Sequence, residues 1–229
     1  MFATTLTRAE HAFTASTDTV DHALQNLLTY YDPEGGYYGA TFLGEPTEDE
    51  YAVTAADLGA VSTLQMIVPP NAGRSLMNPG PLRTRVANYL HRLPTSLSLS
   101  DAEPAHLSNM HALYDDIRSM LPPLGNRATN QWVFASKLCA RKRPMLFPVR
   151  DSKVCTYLAD NQRMDNKAAR LGTFIRDIQV FAHLITHPKV VQRLTDLRAR
   201  LDKEQPSWLF DWCDLRLLDA VLWMDATQG

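Results

Sequence analysis

An all-α fold follows from three features of this chain. Apolar residues recur at three- and four-residue spacing through most of its length, prolines fall between those stretches, and no β-type run is long enough to build a sheet. Two short runs, Phe147-Pro148-Val149 and Val53, have strand character but cannot form a sheet by themselves. With 229 residues, 45% of them hydrophobic, the chain can bury a sizeable core. The absence of repeats, low-complexity tracts and interdomain linkers predicts a single multi-helix domain over residues 1–229.

The elements follow in order. Thr17-Asp18 can cap a helix running to about Tyr30, with Val20, Leu24, Leu27 and Leu28 on one face. Asp32-Pro33-Glu34-Gly35-Gly36 has the composition of a turn and stops it. The stretch from Tyr37 to Tyr51 carries Gly39, Gly44 and Pro46 among aromatics, and reads as a loop or a minor hairpin. Thr54-Ala55-Ala56-Asp57 has capping-box spacing, with Asp in place of Glu, ahead of Leu58, Val61 and Leu64. Val68-Pro69-Pro70 closes that helix. Further helices are expected at about 71–77, 81–93, 104–120, 127–142, 152–160, 167–186, 189–204 and 214–225. Pro94, Pro122-Pro123, Pro144, Pro148, Pro188 and Pro206 lie between them.

Composition excludes several classes of function. A formal net charge of −2 rules out a uniformly basic nucleic-acid coat. The first residues lack the basic start and apolar stretch of a signal peptide, and no apolar run reaches the ~18–20 residues that span a bilayer. Cys139, Cys155 and Cys213 are far apart and odd in number, which argues against a disulfide framework or a cysteine-held zinc. These features predict a cytoplasmic protein with no membrane role. No glycine-rich nucleotide loop, phosphate loop or serine-nucleophile elbow is present, so no cofactor is expected.

Charge concentrates in one place. Arg127, Lys137, Arg141, Lys142, Arg143, Arg150 and Lys153 stand against Asp151 alone, a local +6 on a chain whose total is −2. Such a segment suits a phosphate, a nucleic acid or an acidic protein. It also fits the solvated face of a helix that buries Trp132, Ala135, Leu138 and Cys139. Lys137 stands apart, because it adjoins the apolar stripe of Phe134 and Leu138, where a long side chain snorkels or turns inward. A third reading makes the cations structural partners of the acidic remainder.

Trp132-Val133-Phe134-Ala135-Ser136-Lys137-Leu138-Cys139-Ala140-Arg141-Lys142-Arg143-Pro144, followed by Leu146-Phe147-Pro148-Val149-Arg150-Asp151, resembles the core motif of a bacterial family frequent in actinobacteria. That family is known only as a domain of unknown function, and the chain is DUF6308-like. Thr54 to Ser62 with Val68-Pro69, and the closing Leu215 to Met224, match it as well. The likeness spans nearly the whole chain and brings no established activity.

More distantly, a helical hairpin, a helix ending in Arg-Pro, and a Pro-Val element with Asp opening the next helix are similar to the helix-hairpin-helix DNA glycosylases. This resemblance implies that Leu121-Pro122-Pro123-Leu124-Gly125 is the phosphate-binding hairpin and that Asp151 is the catalytic carboxylate. Arg127 stands where those enzymes can carry a nucleophilic lysine, which implies chemistry through Asp151 rather than a lyase step. DNA is then the expected partner, with Arg127, Lys137, Arg141, Lys142, Arg143, Arg150 and Lys153 as its nucleic-acid-binding residues. The alternative is a non-enzymatic helical module that docks an acidic protein.

Other residues carry weaker signals. Asp151 directly precedes Ser152-Lys153-Val154, so it also fits an ordinary helix cap. His183 and His187 have the four-residue spacing of two metal ligands but lack an accompanying carboxylate at metalloprotease spacing, so no metal is expected. Trp208, Phe210, Trp212 and Trp223 read as part of a core-closing C-terminal segment. Tyr37, Tyr38 and Phe42 read as aromatics packed over the core, in a segment of the kind that often lines sites.

Overall fold

The computed structural model describes residues 2–44, 47–120, 131–158, 173–204 and 213–228. Among these the regular elements are all helical and no strand occurs. The helices are α1 (Phe2–Ser16), α2 (Val20–Tyr30), α3 (Gly39–Gly44), α4 (Ala55–Thr63), α5 (Pro70–Met77), α6 (Pro81–Arg92), α7 (Pro104–Ser119), α8 (Gln131–Lys142), α9 (Ser152–Leu158), α10 (Thr173–Thr186), α11 (Pro188–Glu204) and α12 (Asp214–Gln228). A short 3₁₀ turn, Leu99–Asp101, precedes α7. The expected phosphate-binding hairpin at 121–125 and Arg127 lie outside the described residues.

Where the sequence predicted a loop or hairpin between Tyr37 and Tyr51, the structure has α3. An unpredicted α1 fills the N-terminal region, and α2 is capped by Thr19, whose side chain accepts the His22 N–H, rather than by Thr17-Asp18. The box predicted at Thr54 is present in both directions. Asp57 N–H donates to Thr54 Oγ1 at 3.3 Å, and Thr54 N–H donates to Asp57 Oδ2 at 3.0 Å. Prolines open α5, α6, α7 and α11, where the missing N–H is one a helix start leaves unsatisfied in any case.

The chain forms two compact units, one of residues 41–149 and one of residues 1–40 with 150–229. In the first, α8 packs against α7 and α4, α7 against α6, and α5 against α6 and α4. Its core gathers Leu58 and Val61 of α4, Leu76 of α5, Val86 and Leu90 of α6, Met110, Leu113 and Ile117 of α7, and Phe134 and Leu138 of α8. In the second, α12 is the central rod, packed against α2, α9, α1, α10 and α11. Its run from Leu215 to Leu222 is buried on every side, the mark of a helix surrounded by neighbours rather than laid on a surface. Phe13, Leu27, Phe181, Leu194 and Leu197 complete the apolar interior around it. Among the described residues no helix is long and apolar enough to cross a membrane.

Candidate functional site

The basic segment turns out to be interior structure. Lys137, Arg141, Lys142, Arg143 and Arg150 are each 8% exposed or less, and every described side chain of α8 is buried. A solvated basic face along α8 is therefore corrected by the fold. In this arrangement a phosphate could reach these groups only by displacing the partners they already hold.

Those partners are helix ends. Lys137 Nζ donates to Leu64 O at 2.8 Å, the C-cap carbonyl of α4. Arg143 spreads its donors over Leu93 O and Leu90 O at the end of α6, and over Glu50 O and Lys142 O. Cations suit these places because helix C-termini leave carbonyls unsatisfied and carry partial negative charge. Arg141 reaches Phe42 O at 2.8 Å and Asp57 Oδ1 at 3.4 Å, while Lys142 Nζ lies 2.9 Å from Asp57 Oδ2. Burial lowers the Lys142 ammonium below its usual range, and Asp57 opposes that shift. Asp57 thus does two jobs, closing the capping box of α4 and neutralising two cations of α8.

In the other unit, Arg150 pairs with Asp177 of α10 at 2.5 Å, both side chains essentially inaccessible, and lies 5.2 Å over the Phe174 ring. This pair anchors the backbone immediately before Asp151. Of the predicted nucleic-acid-binding residues among the described ones, Lys153 alone is exposed.

Asp151 is placed differently. It is half-buried, and its Oδ1 accepts the N–H groups of Lys153 at 2.9 Å and Val154 at 3.0 Å, capping α9. Its Oδ2 accepts the indole N–H of Trp223 from α12 at 3.1 Å. Tyr30, at the end of α2, and Tyr37 flank that indole at centroid distances of 5.5 and 5.6 Å, and lie 6.1 Å from each other. All three rings are half-buried. Gly39 makes room for this cluster, because a Cβ there would lie 2.3 Å from Tyr30 Cε1 and 2.8 Å from Tyr31 Cδ1.

Beneath the rings, Arg216 and Asp219 of α12 form a buried pair at 2.7 Å, and Tyr31 donates its hydroxyl to Arg216 O. Burial raises the Tyr30 phenol well above its usual value; Asp219 and Asp151 add to the rise while Arg216 opposes it. The sequence pointed to Asp151 but not to Trp223, Tyr30 or Tyr37 as its companions. Tyr37 in a glycine-bearing aromatic stretch was the one available hint.

His183 and His187 meet a carboxylate distant in sequence. Glu10 Oε1 lies 2.5 Å from His183 Nε2, and Glu10 Oε2 lies 3.6 Å from His187 Nε2. Among the described residues no group of three His, Cys, Asp or Glu side chains is arranged to hold a metal ion.

Residues 23–226 match the model of a family of unknown function, DUF6308. No curated protein and no solved structure matches the chain.

Proposed function

We propose that this chain, which belongs to the DUF6308 family of unknown function, takes a nucleobase-bearing ligand at Asp151 and hydrolyses its N-glycosidic bond. The observation that carries this reading is the setting of Asp151. It is a half-exposed carboxylate held by two backbone N–H groups and an indole, beside three half-buried aromatic rings. Aromatic side chains stack on flat bases with little regard to sequence. A carboxylate fixed in its ionised form by neutral donors stabilises the positive charge that develops on the sugar as the base leaves. Water then adds to the anomeric carbon and gives up a proton, and the base departs with the bonding pair.

The reading does not use the buried cations. With Lys137, Arg141, Lys142, Arg143 and Arg150 engaged in the fold, it favours a nucleoside or a single unpaired nucleotide over a long duplex footprint. The same burial leaves no exposed cation among the described side chains of α8 for docking an acidic protein.

The test is base release. Nucleosides, single-stranded DNA and duplex DNA are incubated with the protein, and the free base is resolved by reverse-phase chromatography. Release that is lost in Asp151→Asn, with helical content retained, supports the proposal. Absence of release from every substrate, or release that survives Asp151→Asn, overturns it.

A further inference from the structure

We infer that the recess around Asp151 selects a flat ring bearing a positive charge over its neutral isostere, because an anionic carboxylate with only neutral partners stands beside three aromatic rings. The inference rests on the reading of this recess as a ligand site and specifies the class of ligand. Every hydrogen bond to Asp151 comes from a neutral donor, the Lys153 and Val154 N–H groups and the Trp223 indole. No cationic side chain forms a salt bridge with it among the described residues. The nearby cation, Arg216, is matched by Asp219 at 2.7 Å, so Asp151 remains the source of net charge at the recess. The faces of Trp, Tyr and Phe attract cations, Trp most strongly, and that attraction grows as water is excluded. Two tyrosines and a tryptophan with centroids 5.5 to 6.1 Å apart supply several such faces next to one carboxylate.

The chemistry of bond cleavage points the same way. A neutral base needs a proton as it leaves, and the groups gathered here are poor acids. They are an indole N–H and phenols, of which Tyr30 is driven further from ionisation by burial. A cationic ring needs no proton. When its C–N bond breaks, the electron pair passes to the ring nitrogen and cancels its charge, while water supplies the new bond to carbon.

The experiment compares 1-methylnicotinamide with nicotinamide, a cation and its near-isosteric neutral counterpart, by isothermal titration calorimetry on the full chain. The expected result is at least about tenfold tighter binding of the cation, the scale of a desolvated cation–π contact joined to a carboxylate. Asp151→Asn should shrink that preference while retaining the neutral compound, and Tyr37→Leu, at the half-exposed rim, should weaken the cation. Equal binding of the two compounds overturns the inference and leaves the ligand-site reading standing. Binding of neither overturns both.

Discussion

Replacing Asp57 by Asn tests whether the basic motif holds the fold together. The side chain has no exposure; it closes the box at the start of α4 and lies 3.4 Å from Arg141 Nε and 2.9 Å from Lys142 Nζ. Asparagine keeps the shape and can still accept a hydrogen bond, but it removes the negative charge. Arg141 and Lys142 would then sit in the interior with carbonyl oxygens in place of a carboxylate, Phe42 O for the first and Asp49 O for the second.

Breaking a buried pair by removing one partner costs about 3–5 kcal/mol, because the remaining charge stays desolvated. A weakened cap adds up to about 1 kcal/mol. For a chain of this size each kcal/mol lowers Tm by about 2–4 °C, so a fall of roughly 10 °C is expected. Thermal and urea unfolding followed by circular dichroism at 222 nm would measure it. In a Lys142→Met background the same substitution should cost clearly less, because one stranded charge is already gone. A loss below about 1 kcal/mol for Asp57→Asn would refute the structural account of these cations. Arg141 and Lys142 would then again be candidates for phosphate contacts.

Four further outcomes are expected. Arg143→Lys should destabilise by roughly 2–4 kcal/mol in urea unfolding, since one ammonium cannot span the carbonyls of Leu93, Glu50, Lys142 and Leu90, and each unpaired carbonyl costs about 1–3 kcal/mol. Gly39→Ala should cost about 1–3 kcal/mol by overpacking and alter the near-ultraviolet dichroism of the Tyr30–Trp223 cluster; an unchanged spectrum would count against the close approach. Gln65, with φ of 59° just past α4, should gain about 1 kcal/mol as Gly, seen as a rise in Tm. Absorbance at 295 nm during alkaline titration should show Tyr30 and Tyr31 ionising well above the ordinary value near 10, and Tyr157 at about 12. These raised values stabilise the fold below pH 10, and that contribution is lost as pH climbs through them, so tyrosine ionisation and alkaline unfolding should coincide.

How far the fold was legible in the sequence depends on what each signal measures. Thr54 and Asp57 were readable because a capping box is local, fixed by four residues and two hydrogen bonds. The prolines at the starts of α5, α6, α7 and α11 marked boundaries for an equally local reason. In the 37–51 stretch glycine and aromatics were taken as signs of irregular backbone. There Gly39 serves instead to admit the rings of Tyr30 and Tyr31, a contact between separate elements that no local pattern announces. For the basic residues the misleading step was assigning them to one polar face. Lys137 and Arg141 lie three and seven positions from Phe134, on the same stripe, and Lys142 shares a side with Leu138 and Cys139. A helix with cations woven into its apolar stripe has no free polar face. That interleaving was the signal that the charges point inward. Asp151 could be singled out as a helix cap, but its indole partner lies 72 residues away on α12 and only tertiary structure brings them together.

Charge counted along a sequence and charge presented to a ligand are different quantities, and here they differ in sign. The segment from Arg127 to Lys153 sums to +6, yet five of its cations are spent inside the protein on helix-end carbonyls, Asp57 and Asp177. A buried cation with such partners contributes little field at the surface, whereas Asp151, half-exposed and held only by neutral donors, keeps its charge where a ligand would meet it. The acid outnumbered seven to one in its segment is therefore the one that sets the polarity of the recess. Partner predictions built on net charge lead toward polyanions. The same residues placed in the fold lead toward a cation.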